Sequence, residues 1–179
     1  MPRSHLAVAL ATALVVLCPA LPRAEVAVRL DLAPEWRHAE DMAALVDVLE
    51  TWLDRQSDWP RRDEAPRVRL VSEWQAKARQ GAAASFQHGR LRGLYDPDRS
   101  EILLVRPWDP GDASDVSVLL HELVHHRQQP FHWYCPAAQE LPAYRLQDRW
   151  LTERGLSADV NWLAVMLDAG CTRRDIHPN

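Results

Sequence analysis

His121, Glu122 and His125 occur in the order His-Glu-Leu-Val-His, the most chemically specific run in the sequence. Two residues four apart differ by about 40° around a helix and one turn of rise, so both imidazoles leave the same face. Two ring nitrogens held that way on a rigid helix can ligate one zinc ion. Glu122 lies about 100° around from His121, within reach of a metal-bound water without being a ligand. Leu123 and Val124 fall on the opposite side with Val116, Leu119 and Leu120. The helix is therefore expected to be buried, with one polar stripe aimed into a cleft. A hydrogen-bonded structural histidine pair is the bland alternative.

A catalytic zinc takes three protein ligands and keeps a fourth position open. The chain lacks an extended HExxHxxGxxH motif, since Gln128 stands three residues after His125 and Pro130 ends the helix. Glu140 is the best third candidate. It opens the next helix after a short loop and starts Glu140-Leu141-Pro142-Ala143-Tyr144. His132, in the intervening loop, is the rival and would need a tight reversal after Pro130. In this arrangement Glu122 acts as general base. Tyr144, one turn after Glu140, either stabilises the developing oxyanion or simply packs. Gln147 and Asp148 lie two turns beyond Glu140, where either could orient a ligand imidazole. His126 points away from His125 and reads as a supporting or exposed residue rather than a ligand.

These residues resemble the gluzincin metallopeptidases, in which a Glu from a following helix completes HExxH. The Glu-x-x-Ala-Tyr run is similar to small gluzincin groups and to small secreted bacterial proteins. The likeness spans Tyr95 to about Trp150, and the gap from His125 to Glu140 is shorter than in the large thermolysin-like members. It implies an α+β, minimal zincin-like domain: a small, largely antiparallel sheet plus helices that carry the metal. It also implies Zn2+ as cofactor, peptide-bond hydrolysis, a peptide or protein substrate, and Glu101–Val105 as an edge strand receiving that peptide. Two rivals remain: a non-catalytic zincin-like binding module, and a zinc hydrolase of another amide.

The elements that must position these residues are legible in the periodicity. Trp36, Met42, Leu45, Val46, Leu49, Trp52 and Leu53 predict an amphipathic helix from Pro34 to about Trp59. Arg67–Ser72 alternates and reads as a strand, followed by a short helix from Glu73 to Gln80 ending at Gly81. A hairpin is expected from Arg90–Tyr95 and Glu101–Val105. Ser114 or Asp115 can cap the metal helix, Val116 to about Gln129. Another helix runs from near Ala137 to Glu153, and Pro142 places its start close to Glu140. A last helix, capped by Ser157, runs toward Cys171.

Composition narrows the setting. With 179 residues, 47% apolar and 26% charged, the chain can bury a core. Eight tryptophans read as core and groove lining. Residues 1–24 read as a signal peptide: Arg3, the apolar run Leu6–Leu17, then small residues and prolines before a cut near Ala20 or Ala24. Residues 25–179 then form one domain, periplasmic or secreted. Losing Arg3 and Arg23 takes the 21 basic residues to 19 against 25 acidic, a formal charge of −6. That surface argues against nucleic acid and anionic membrane as partners. Cys18 departs with the leader, leaving Cys135 and Cys171 to pair in an oxidising compartment, or to remain as two buried thiols.

Overall fold

The computed structural model describes residues 35–79, 84–87 (backbone only) and 90–171. The leader, Cys18, Gly81, His88 and His177 lie outside the described residues, and the short helix after the first strand stops at Lys77, capped at Ala78, before the expected end at Gln80. A single 3-10 turn at Glu35–His38 precedes helix α1, Met42–Gln56. Strand β1 (Arg67–Val71), helix α2 (Glu73–Lys77) and strands β2 (Ala84–Gln87), β3 (Arg90–Asp96) and β4 (Glu101–Val105) follow. Helix α3 (Ala113–Gln128), a 3-10 turn at Pro136–Gln139, α4 (Glu140–Thr152) and α5 (Trp162–Ala169) complete the chain. The architecture is α+β.

The sheet has four strands in the order β1-β4-β3-β2. The pairs β3–β4 and β2–β3 are antiparallel, whereas β1 lies parallel to β4. β4 is therefore central, and the expectation that Glu101–Val105 forms a peptide-receiving edge is overturned. The physical reason is in its residues. All five positions of β4 are buried, and Ile102-Leu103-Leu104-Val105 is a continuous apolar run of the kind covered on both faces. Ile102 and Leu104 join the main core with α1, α3 and α4, while Leu103 and Val105 join a smaller core with Ala76 of α2.

Three helix starts differ from the sequence expectation, each for a local reason. Asp41 caps α1, accepting from the Ala44 N–H at 2.8 Å, so the helix begins after Pro34 and Trp36. Asp112 caps α3 through the Ser114 and Asp115 N–H groups, because the Asp115 carboxylate is engaged by Arg92 and the Asp109 N–H. Asn161, not Ser157, caps α5. α4 starts at Glu140, as Pro142 required, since a proline in the first turn gives up an N–H that has no helical partner. Trp36, Trp52 and Trp150 are core residues, but Trp74 is 78% exposed and lines no core.

Two ties hold the helical half. Arg127 of α3 is buried against α1: its Nε donates to Glu50 at 2.7 Å and its Nη2 to Asp54 at 2.6 Å and to the Glu50 carbonyl at 2.8 Å. Burial raises the Glu50 pKa despite the opposing pull of Arg127. Cys135 and Cys171 form a disulfide, as expected, joining the segment before α4 to the end of α5. Removing one partner of a buried ion pair strands the other charge. We expect Arg127→Met to destabilise the fold by about 3–5 kcal/mol in denaturant titration, with much of that recovered in the Glu50→Gln, Arg127→Met double variant. Opening a disulfide across a separation of 36 residues should cost about 4 kcal/mol, measured by comparing the Cys135→Ser, Cys171→Ser protein with the oxidised chain.

Candidate metal centre

α3 carries Ser117, His121, His125 and Gln128 as one polar stripe, each three or four residues from the next. α4 packs against that stripe and brings Glu140, Tyr144 and Gln147, again at helical spacing. Both imidazoles are buried, at 0% and 1% exposure, while the Glu140 side chain is 17% exposed.

The two His Nε2 atoms face each other at 3.0 Å. Glu140 Oε2 lies 3.3 Å from His121 Nε2, and Glu140 Oε1 lies 3.5 Å from His125 Nε2. The structure thus brings His121, His125 and Glu140 together, and this cluster could hold a metal ion. His132 stays outside it, exposed on the connecting loop with its ring 6.4 Å from that of Tyr134. Of the two candidate third residues, Glu140 is the one placed beside both imidazoles.

The donor atoms can be tested for fit. Tetrahedral bonds of ordinary zinc length place ligand atoms roughly 3.3–3.6 Å apart, close to the triangle observed. The proton positions follow from the neighbours. Gln128 Nε2 donates to the Gln139 carbonyl at 3.2 Å, which turns its Oε1 toward His125 Nδ1 at 2.9 Å. Ser117 Oγ donates to the Ser114 carbonyl at 2.7 Å and accepts from Gln147 Nε2 at 2.9 Å. Gln147 Oε1 then meets His121 Nδ1 at 3.1 Å. An amide oxygen only accepts, so both Nδ1 atoms carry the hydrogen, and in the neutral rings both Nε2 atoms offer lone pairs inward. Glu140 Oε2 is itself buried without a hydrogen-bond partner. Three converging electron-rich atoms with no donor among them fit a bound cation.

The electrostatics agree. Burial pushes the Glu140 carboxyl upward, but where a proton on an imidazole Nε2 stands in the place of a metal ion, the two imidazoles win and bring its pKa down to about 2. Burial likewise opposes a charged His125, yet Glu140 and Glu122 raise its pKa. The same spot attracts positive charge whichever group is considered.

Glu122 is fully buried one residue after His121, and its charge acts on His125. Tyr144 is nearly buried with its ring centroid 4.4 Å from that of His121, so packing on the ligand is what the structure displays for it. Of the two residues considered for orienting an imidazole, Gln147 does so, and Asp148 instead accepts from the Ala158 N–H at 2.8 Å. Gln128 was not anticipated in that role, although its place three residues after His125 on the same face was the available signal. His126 is buried rather than exposed. Its Nε2 donates to the Glu64 carbonyl at 3.0 Å, and Nδ1 lies 3.1 Å from the Tyr95 hydroxyl. Burial, assisted by Arg62 and Arg127, pushes its pKa down to about 4, which keeps it neutral.

A family described as DUF6647, a domain of unknown function, matches residues 38–179. The chain belongs to the DUF6647 family. The match contains every member of the His121–His125–Glu140 cluster and both glutamines behind it. No curated protein and no solved structure matches the chain.

The purified DUF6647 domain should bind one equivalent of a divalent ion, measured by elemental analysis. His121→Ala should abolish it. Free ion at about 100 times Kd should stabilise the unaltered protein by about 2.7 kcal/mol and leave that variant unmoved.

Proposed function

We propose that the protein is a zinc-dependent metallopeptidase of minimal zincin-like, gluzincin type, exported behind a signal peptide at residues 1–24. The observation that carries this reading is the convergence of His121 Nε2, His125 Nε2 and the Glu140 carboxylate within 3.0–3.5 Å, with Glu122 fully buried in the same helix turn. Two imidazoles and one carboxylate make a three-ligand set that leaves a tetrahedral zinc one open position. The Cys135–Cys171 bond supports an oxidising compartment, periplasmic or extracellular. Among the described residues no helix is long and apolar enough to cross a membrane.

Zinc, when bound, supplies a Lewis acid for the scissile carbonyl and makes water acidic enough to lose a proton near neutral pH. The chain's own residues do the rest. His121 and His125 present lone pairs because their Nδ1 hydrogens are held by Gln147 and Gln128. Glu140 is ionised and carries the site's compensating negative charge. Glu122 takes a proton onto its carboxylate and returns it to the departing amine. The Tyr144 ring packs on that of His121 at a tilt of 59°, and its hydroxyl is the candidate donor to the carbonyl oxygen. The substrate is a peptide or protein; an acidic mature chain disfavours nucleic acid and anionic lipid.

The near-complete burial of both imidazoles favours a second reading, a zincin-like module that holds the metal without turnover. One variant separates them. In the peptidase, Glu122→Gln should lower the rate of peptide-library cleavage by about 10²–10⁴-fold while one metal equivalent is retained. Equal cleavage by both proteins, or none by the unaltered chain with its metal loaded, would remove the enzymatic reading.

A further inference from the structure

We propose that Gln128 is a positioning residue that assembles the metal centre from both of its helices at once; this rests on the metal-binding reading above. The side chain is fully buried, with 0% exposure. Its planar amide makes two hydrogen bonds of opposite sense. Oε1 accepts from His125 Nδ1 at 2.9 Å, and Nε2 donates to the Gln139 carbonyl at 3.2 Å. Gln139 immediately precedes Glu140 and is the residue from which α4 departs. One amide therefore determines which His125 nitrogen keeps its hydrogen and where the carboxylate ligand enters.

The backbone of the same residue extends the arrangement. The Gln128 carbonyl accepts from Trp133 Nε1 at 3.3 Å, which turns the connecting loop back over the end of α3. His121 has separate support, from Gln147 and Ser117. The two imidazoles are thus oriented independently, and only the His125 support also reaches the third ligand. The chemistry is particular to glutamine. Glutamate at this position accepts from His125 but has no N–H for the Gln139 carbonyl, and methionine of similar length does neither.

The test uses zinc chloride with a chelator competitor for affinity. Imidazole nitrogen NMR of the metal-free protein, at a pH where the rings are neutral, reads the tautomer. The unaltered protein should display the Nδ1–H tautomer at His125. Gln128→Met should lose that preference and bind zinc about 10–100-fold more weakly. Gln128→Glu should keep the Nδ1–H signal and still bind more weakly, because Glu140 loses its anchor. Gln147→Met should change the His121 signal and leave that of His125 in place.

Unchanged tautomer and affinity in Gln128→Met overturn the proposal. Should that variant not fold, the near-isosteric Gln128→Glu decides: retained signal with weakened binding supports it, and unaltered binding overturns it. If the unaltered protein binds no zinc, the metal reading fails by itself, and the tautomer comparison still decides whether Gln128 orients His125.

Discussion

The structure turns on a repulsion that something must overcome. Three electron-rich atoms, two imidazole nitrogens and a carboxylate oxygen, are held within 3.0–3.5 Å of one another in a buried place. A buried polar atom without a partner costs about 1–3 kcal/mol, so apolar packing alone does not select this convergence. The surrounding fold is the counterweight. Arg127 pins α3 to α1 through Glu50 and Asp54, and the main core packs α3 against Ile102 and Leu104. The disulfide ties down the lead-in to α4, on which Glu140 rides. With these ties the ligand atoms cannot easily separate, and a cation is the simplest species that relieves them.

The parts of this site that were legible in the sequence are those governed by one helix at a time. Four-residue spacing alone puts His121 and His125 on one face, and nothing tertiary is needed to see it. Glu140 was legible because Pro142 restricts where its helix can begin, which put the carboxylate at the first turn. Gln147 was legible as a residue two turns on. What stayed hidden depends on contacts between elements far apart in the chain. Arg127 and Glu50 are separated by 77 residues, and no pattern in either helix announces the partner. The same holds for His126, whose neutrality follows from burial first and then from Arg62 and Arg127, against the opposing pull of Glu64.

The interior place of β4 is a different case. β3 and β4 form the hairpin their residues predict, whereas an exposed edge is implied only by likeness to other folds and not by the residues. The residues carried the contrary signal. Arg67-Val68-Arg69-Leu70 alternates, as a strand with one solvated face does, and β1 occupies an edge. Ile102-Leu103-Leu104-Val105 does not alternate, and burial of every side chain on β4 follows from that. The parallel β1–β4 pairing was less accessible, since it depends on the long excursion through α2, β2 and β3 returning beside β1.

The three donor residues are not equally buried. His121 and His125 are sealed by α3 itself, by the Tyr144 ring and by the two glutamines, whereas Glu140 retains 17% exposure at the start of α4. Of the three donor residues, Glu140 alone is partly exposed, at the first turn of α4. Neutral amides, rather than carboxylates, back both imidazoles, so Glu140 and Glu122 supply the formal negative charge close to the ligand nitrogens. A dication seated among them keeps more of its positive character than one surrounded by charged supports. That residual charge, beside the partly exposed Glu140, is what the proposed hydrolytic reading would draw on.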